Sequence, residues 1–437
     1  MLLSLYFENF RSFKDGVLFD LLAESSKAKE QNVFLQVINK GALEEDVRLL
    51  KSAVIYGANA SGKSNLIRGV KDILGFVCNT QIRAGERIPA YNPFAFDNTS
   101  AVSPVKFAIE FIGQESVRYK YEIHFDEQGV VFEKLTYWPQ SKPIVLIERQ
   151  AEEAVGLTQK IRFRDSQKYQ HLDIFRNQAA LSKFGSQEAD ELLSNVFLYF
   201  TTIQIVTLLD SVGGYGEQTV ISERLAADTT LMKRMNELLR FADTGLSAVF
   251  LRKGERPVLR LSKDGKLESV NRPVYDMNAL HPVFKNGKPI GLDVSLPFSE
   301  ESNGVKTLYT FGGKILSTLD SGGVIFVDEL ETSLHPYLSK LLVVMFQSER
   351  INKKNAQLVF TTHDTNLLER SIFRRDQIWI TQKDESGATE LYSLQQFPDV
   401  REDTPFDKWY LAGKFGGVPD IQSLEKLFED PVPGRSD

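Results

Sequence analysis

The stretch VIYGANASGKSN, residues 54–65, constrains the fold more than any other part of the chain. An apolar run ends at Gly57, a loop of small residues follows, and Lys63 and Ser64 open a new segment. In that segment Leu66, Ile67, Val70, Ile73 and Leu74 fall on one helical face. The pattern is a buried strand, a tight loop and an amphipathic helix, and such a unit belongs in an α/β sheet.

GANASGKS, residues 57–64, fits glycine, four residues, then Gly-Lys-Ser. Wrapping a chain round an anion requires backbone N–H groups to point inward. Gly57 and Gly62 permit that, Asn59, Ala60 and Ser61 are small enough to line the turn, and the helix beginning at Lys63–Ser64–Asn65 offers its positive end. Lys63 is expected to reach the β and γ phosphates, and Ser64 to give a hydroxyl to Mg²⁺. The plain alternative is a glycine-rich strand-to-helix turn. The motif's place after a buried strand and at a helix start favours nucleotide binding.

Elsewhere the chain changes rhythm. LYFENF reads as an opening strand and turn. Between 91 and 165, VKFAIEFI, VRYKYEIHF, GVVFEKLTYW and PIVLIER read as short antiparallel strands. From 166 to 245 helical signals dominate, in EADELLSNV and DTTLMKRMNELLRFAD, with the glycine-rich DSVGGYGEQ between them. A hairpin with DG as its turn follows in AVFLRKGERPVLRLSKDGKLESV. From 300 to about 395, helix and strand alternate. The expected fold class is α/β: a mixed or parallel sheet flanked by helices, an antiparallel β subdomain, and a helical insertion. The expected units are 1–165 (first lobe with the β subdomain), 166–298 (helical insertion and hairpin) and 299–437 (second lobe).

The second lobe carries a second half-site. VIFVDEL, residues 324–330, is an apolar run followed by two acids. Ligands of parallel sheets bind at the carboxyl ends of strands, so Asp328 is expected at the metal and Glu329 beside it as the base that activates water. Alone, the run reads equally as a core strand with solvated acids. QLVFTTHDTNLL repeats the design and puts His363 at a strand end, within reach of a γ-phosphate. In SEESNGVKTL, Ser302 caps a helix and Gly304 opens its end to close approach.

Composition bounds the alternatives. The formal charge is −6, which argues against a chain coated with basic surface for nucleic acid. RSIFRRDQ, residues 370–377, is the best basic patch and reads as a charged turn. Five His and one Cys have no zinc spacing. The lone Cys78 fits a reducing cytoplasm and a small buried hydrophobe. No apolar run reaches the roughly 20 residues of a membrane span, and the N-terminus lacks a signal peptide's basic region. The expected location is cytoplasmic.

The ordered set GANASGKS, ESNGVK, VIFVDE, ETSLHP and TTHD resembles the ABC-type ATPase heads of the SMC and RecF group. LYFENFRSF resembles their first strand and turn. DELETSLHP and the tail WYLAGKFGGVP resemble the single-chain ATPases of prokaryotic antiviral defence: abortive-infection and RloA-type ATPases, the PARIS ATPase, and the ATPase half of the OLD nucleases. The resemblance covers about 1–100 and 280–420. It implies that Lys63, Ser64 and Asp328 hold phosphate and magnesium, that Glu329 is the catalytic base, and that His363 is the switch histidine. It implies that Arg11 and Ser12 lie near the nucleotide. Ser302 and Gly304 would contact ATP held by another subunit, and His335 and Pro336 would cross that interface. A head-to-tail homodimer, or a higher even-numbered oligomer, follows. The ESNGV signature departs from the transporter-type LSGGQ, and the glutamine loop is Gln81 or the segment YNPFAF, residues 91–96.

The expected activity is ATP hydrolysis. Its expected output is control of a separate effector, a nuclease or toxin, in abortive-infection defence. Nucleic acid would be reached mainly through that partner, and membrane is not involved. The helical insertion is the expected docking surface, projecting away from the nucleotide. The alternative is a RecF-like repair ATPase that clamps DNA directly. A self-contained nuclease is disfavoured because no Asp-x-Asp pair or clustered carboxylates follow His363.

Overall fold

The computed structural model describes residues 1–40, 43–81, 83–150, 154–165, 168–185, 191–207, 215–261, 267–401 and 403–419. Its chain starts with β1 (Leu2–Glu8) and β2 (Val17–Asp20), followed by the hairpin β3 (Val33–Lys40) and β4 (Leu43–Leu50). The motif strand β5 (Ser52–Gly57) then leads into α1 (Lys63–Val77). The antiparallel strands come next: β6 (Val105–Ile112), β7 (Arg118–Phe125), β8 (Val130–Trp138), β9 (Ile144–Gln150), β10 (Ala154–Val155), β11 (Thr158–Asp165) and β12 (Lys168–Phe175).

Together with β1 and β2 these strands form a nine-stranded sheet, ordered β10-β11-β9-β8-β7-β6-β1-β2 with β12 on β11. The sheet therefore runs past residue 165, and strand rather than helix occupies 168–175. The residues of β12 pair one for one with β11, from Thr158–Phe175 to Asp165–Lys168. A ladder of eight pairs outweighs the local helical signal. Inside this sheet the Arg149–Glu133 ion pair is fully buried, and Glu133 also accepts from Tyr121 Oη at 2.6 Å and the Ala180 amide at 2.9 Å.

Beyond the sheet lie α2 (Glu191–Thr202), the short β13 (Gln204–Val206), α3 (Tyr215–Ala227) and α4 (Thr229–Phe241). Asp228 caps α4 through the Thr230 and Leu231 amides. The glycine-rich DSVGG and the DG turn lie outside the described residues. The expected hairpin is a three-stranded sheet, β14 (Ala248–Leu261), β15 (Leu267–Lys285) and β16 (Lys288–Pro297). The helices α3 and α4 do not project. They pack on α5 (Asn303–Ser321), where Leu238, Met235 and Ile221 close on Gly312 and Gly313. The part that stands out is β16, exposed along all ten of its residues.

The remaining elements are β17 (Val324–Val327), α6 (Pro336–Gln347), β18 (Gln357–Thr361), β19 (Ile378–Lys383), β20 (Thr389–Ser393) and α7 (Phe406–Leu411). The core sheet is β13-β17-β18-β5-β19-β20, parallel except for the final pair. Both of its faces are covered, which is why β5, β17 and β18 read as unbroken apolar runs. Ala53 and Ile55 face α1, β1 and the nine-stranded sheet; Val54 and Tyr56 face α5, α6 and α7. The architecture is the mixed α/β one expected, with sheets flanked by helices. Among the described residues no helix is long and apolar enough to cross a membrane.

Candidate functional site

The core strands end side by side, and their carboxyl ends bring together residues far apart in sequence. At the end of β5 the chain turns at Gly57 (φ 154°) and rejoins α1 at Gly62 (φ 114°), backbone states that side chains resist. A Cβ on Gly57 would lie 2.5 Å from Ser61 Oγ and from Thr381 O. Gly62 caps α1 without a side-chain acceptor, and the first turn holds no acid. The positive end of the helix is thus left for an external anion. Asn59 and Ala60 form the exposed crest of the loop, Ala60 with φ 59°.

Lys63 is buried, and its Nζ donates to Gly57 O at 2.8 Å and Ala58 O at 2.9 Å. Burial pulls its pKa down to about 8, against the pull of the Glu329, Asp328 and Glu331 carboxylates. Ser64 Oγ donates to Asp328 Oδ1 at 2.9 Å, joining positions 264 residues apart. Thr361 Oγ1 donates to the same oxygen at 2.7 Å and accepts from the Glu329 amide at 2.8 Å. Asp328 is 1% exposed, and its Oδ2 has no hydrogen-bond partner among the described residues. A buried carboxylate oxygen without a donor, beside a serine hydroxyl, fits a hard divalent cation completed by phosphate oxygens and water. Among the described residues no group of three or more His, Cys, Asp and Glu is placed to hold a metal by itself.

Glu329 sits at φ 53°, a left-handed state rare for this residue, with its Oε2 accepting from Thr332 Oγ1 at 3.3 Å. The backbone amide of His363 donates to Glu331 Oε1 at 2.6 Å. Partial burial and the nearby Lys63 ammonium hold the His363 imidazole below its usual range, with Glu331, Glu329 and Asp328 pulling the other way. Lys63, Ser64, Asp328, Glu329 and His363 therefore share one crevice.

Other expected residues are distributed differently. Ser12 belongs to the loop's surroundings: its Oγ accepts from Asn65 Nδ2 at 2.8 Å and its carbonyl from the Thr389 amide at 2.7 Å. Arg11 instead turns its guanidinium to Asp72 on α1 at 2.8 Å. Ser302 caps α5 through the Val305 amide, and a Cβ on Gly304 would lie 3.0 Å from Ser333 O. Their contacts are with α5 and the segment after Glu329 rather than with residues 57–65. His335 caps α6 through the Tyr337 amide, and Pro336 is that helix's first residue. Gln81 lines a surface cavity with Lys71, Asp72 and Asn79, while Asn92 O receives the Arg11 amide. Two of the three arginines of the basic turn are paired within the chain: Arg374 binds Asp376 and Arg375 binds Glu24, while Arg370 is exposed.

Three residues absent from the sequence reading complete the cradle. Thr361 pins Asp328 and Glu329, Thr381 Oγ1 meets Ser61 Oγ at 2.6 Å, and Thr389 Oγ1 donates to Ser61 O at 2.8 Å. Only Thr361 had a visible signal, a hydroxyl directly after an apolar strand in QLVFTTH.

A family profile described as "AAA domain, putative AbiEii toxin, Type IV TA system" matches residues 52–183 and 226–369, more than half of the chain. The chain belongs to this family. The AAA-domain match takes in the phosphate loop, Asp328, Glu329 and His363, and leaves out α2, β13 and most of α3. Among solved structures the chain is similar to the SMC head domain from Thermotoga maritima, at 13% identity over 90% of this chain and 98% of that one, TM-score 0.38. It is similar to an Smc head bound to the C-winged helix domain of ScpA, at 13% identity over 90% and 97%, TM-score 0.45. It is also similar to the recombination mediator protein RecF with ATP, at 12% identity over 90% and 99%, TM-score 0.38. No curated protein matches it.

Proposed function

We propose that this chain is an ABC-type ATPase that binds ATP with Mg²⁺ and hydrolyses it to control a separate effector in antiviral, abortive-infection defence. The observation that carries the ATPase reading is the junction of Ser64, Asp328 and Thr361, with one oxygen of Asp328 left unpartnered. The family's description as a toxin–antitoxin type supports the defence output.

Ser64 and Asp328 would hold the metal, which when bound neutralises phosphate charge. Lys63 would exchange its two carbonyl partners for phosphate oxygens. Glu329, standing next to Asp328 and steadied by Thr332, would take a proton from the attacking water. A neutral His363 would donate a hydrogen bond to the γ-phosphate. Ser302 caps α5 and Gly304 lies against Ser333 O, at the helix end; in this reading they would contact ATP held by the other head of a head-to-tail dimer. ATP would then draw two heads together, and hydrolysis would release them.

The test is the Glu329→Gln chain, expressed from its native locus and purified with Mg-ATP. It is expected to bind ATP, to lose at least about a hundredfold in turnover, and to run as a dimer with a stoichiometric nuclease or toxin-like protein. Wild-type turnover would overturn the assignment of the base. DNA without a protein partner would overturn the effector reading and leave a DNA clamp of RecF type.

A further inference from the structure

The tail segment WYLAGKFGGVP, residues 409–419, reaches the phosphate loop from behind. Gly417 lies so close to the motif's first glycine that a Cβ on it would stand 3.4 Å from Gly57 Cα, 3.2 Å from Thr381 O and 2.5 Å from Ile380 Cγ2. Gly416 and Gly417 both have positive φ, 69° and 66°. A Cβ on Gly416 would run into Gln382 Oε1 and lie 2.6 Å from Tyr392 Oη. Polar contacts seat this double-glycine turn: the Gly417 amide donates to Gln382 Oε1 at 3.1 Å, and Tyr392 Oη donates to Phe415 O at 2.8 Å.

Tyr410 stands at the centre. Its hydroxyl donates to Gly417 O at 3.0 Å and lies beside the Gly57 amide. Its ring packs on Tyr56, the last residue before Gly57, at 5.5 Å between centroids. The Tyr56 hydroxyl donates to Asp364 O at 2.9 Å, on the residue after His363. The helix α7, which carries Tyr410, also packs on residues 365–368. One buried pair of tyrosines thus touches the first glycine of the phosphate loop on one side and the His363 turn on the other.

We infer that this tail is a strap that holds the phosphate loop and the His363 turn in register, and that Tyr410 is its positioning residue. The inference rests on the ATPase reading above. Tyr410 touches no reacting atom. It acts through Gly57 and, by way of Tyr56, through the backbone at Asp364. A closed loop needs its donors and its histidine placed together, and misplacement of about 1 Å can cost on the order of a hundredfold in rate.

The experiment is a double-mutant cycle in the full chain with Tyr410→Phe and His363→Ala, reading kcat, KM for ATP and Kd for ADP. Tyr410→Phe removes only the hydroxyl. It is expected to lower kcat about tenfold, with KM and the ADP Kd within about twofold. Combined with His363→Ala it is expected to add little, because both act on one arrangement. Gly417→Ala should reproduce the kcat loss if it folds, and Tyr410→Phe decides the matter if it does not. Wild-type kcat in Tyr410→Phe, or losses that multiply in the double variant, would overturn the strap while leaving the ATPase reading intact. A wild-type chain that binds and hydrolyses no ATP would overturn both.

Discussion

Thr361→Val should expose how the two halves of the site are tied together. The valine is close to threonine in volume, so no cavity forms. Two bonds disappear: the donor to Asp328 Oδ1 at 2.7 Å and the acceptor for the Glu329 amide at 2.8 Å. Both former partners remain. Asp328, 1% exposed, keeps one donor, Ser64, for a carboxylate that already has an unpartnered oxygen. A hydrogen bond to a charged group contributes about 1.5–3 kcal/mol, and an unpaired buried N–H costs about 1–3 kcal/mol. The two terms share one hydroxyl and are not fully additive, which puts the expected loss at about 2–4 kcal/mol. Urea unfolding should show a lower midpoint at unchanged slope. Thr361→Ser keeps both bonds and should stay within about 1 kcal/mol of wild type. A valine variant within about 0.5 kcal/mol of wild type would show that water or another donor already serves these groups, and the reasoning would fail.

Gly62→Ala should lower stability by about 1–3 kcal/mol, since φ 114° strains any side chain, and should abolish ATP binding because the new methyl displaces Thr389. Urea unfolding with a fluorescent nucleotide titration checks this, and wild-type affinity would refute it. Burial pushes the Cys78 thiol up to about 12 from an ordinary 9.0. Only the thiolate reacts, so at pH 8 the folded chain should be alkylated about a thousandfold more slowly than the urea-unfolded chain. The rate should rise about tenfold per pH unit; a folded rate within about tenfold of the unfolded one would refute the shift.

Short-range chemistry made much of this molecule readable. VIYGANASGKS, VIFVDE and QLVFTTH each place an apolar run directly before the candidate site residues, so strand end and candidate site appear together. The strands β6 to β9 fall where the runs of strand-forming residues between turns put them, and β7 alternates buried and half-buried along its whole length. What escaped depends on partners distant in sequence. Thr381 and Thr389 look like ordinary strand residues until the pairing of β19 with β5, and of β20 with β19, brings them against Ser61. The strand β12 is specified by its ladder with β11 rather than by its own residues. The partner of Arg11 is likewise distant: Asp72, on α1, pairs with its guanidinium.

The order of strands also sets a timetable for synthesis. The motif strand β5 sits between β18 and β19, and its pairing Leu358–Ser52 spans about 300 residues. At roughly 5–20 residues per second, β5 emerges from the ribosome about 15–60 s before either neighbour exists. All six of its residues are buried in the finished fold. Through that interval the apolar strand must be shielded by α1, by the early sheet or by a chaperone. Newly made chains should therefore be most prone to aggregation before the last quarter of the sequence is translated.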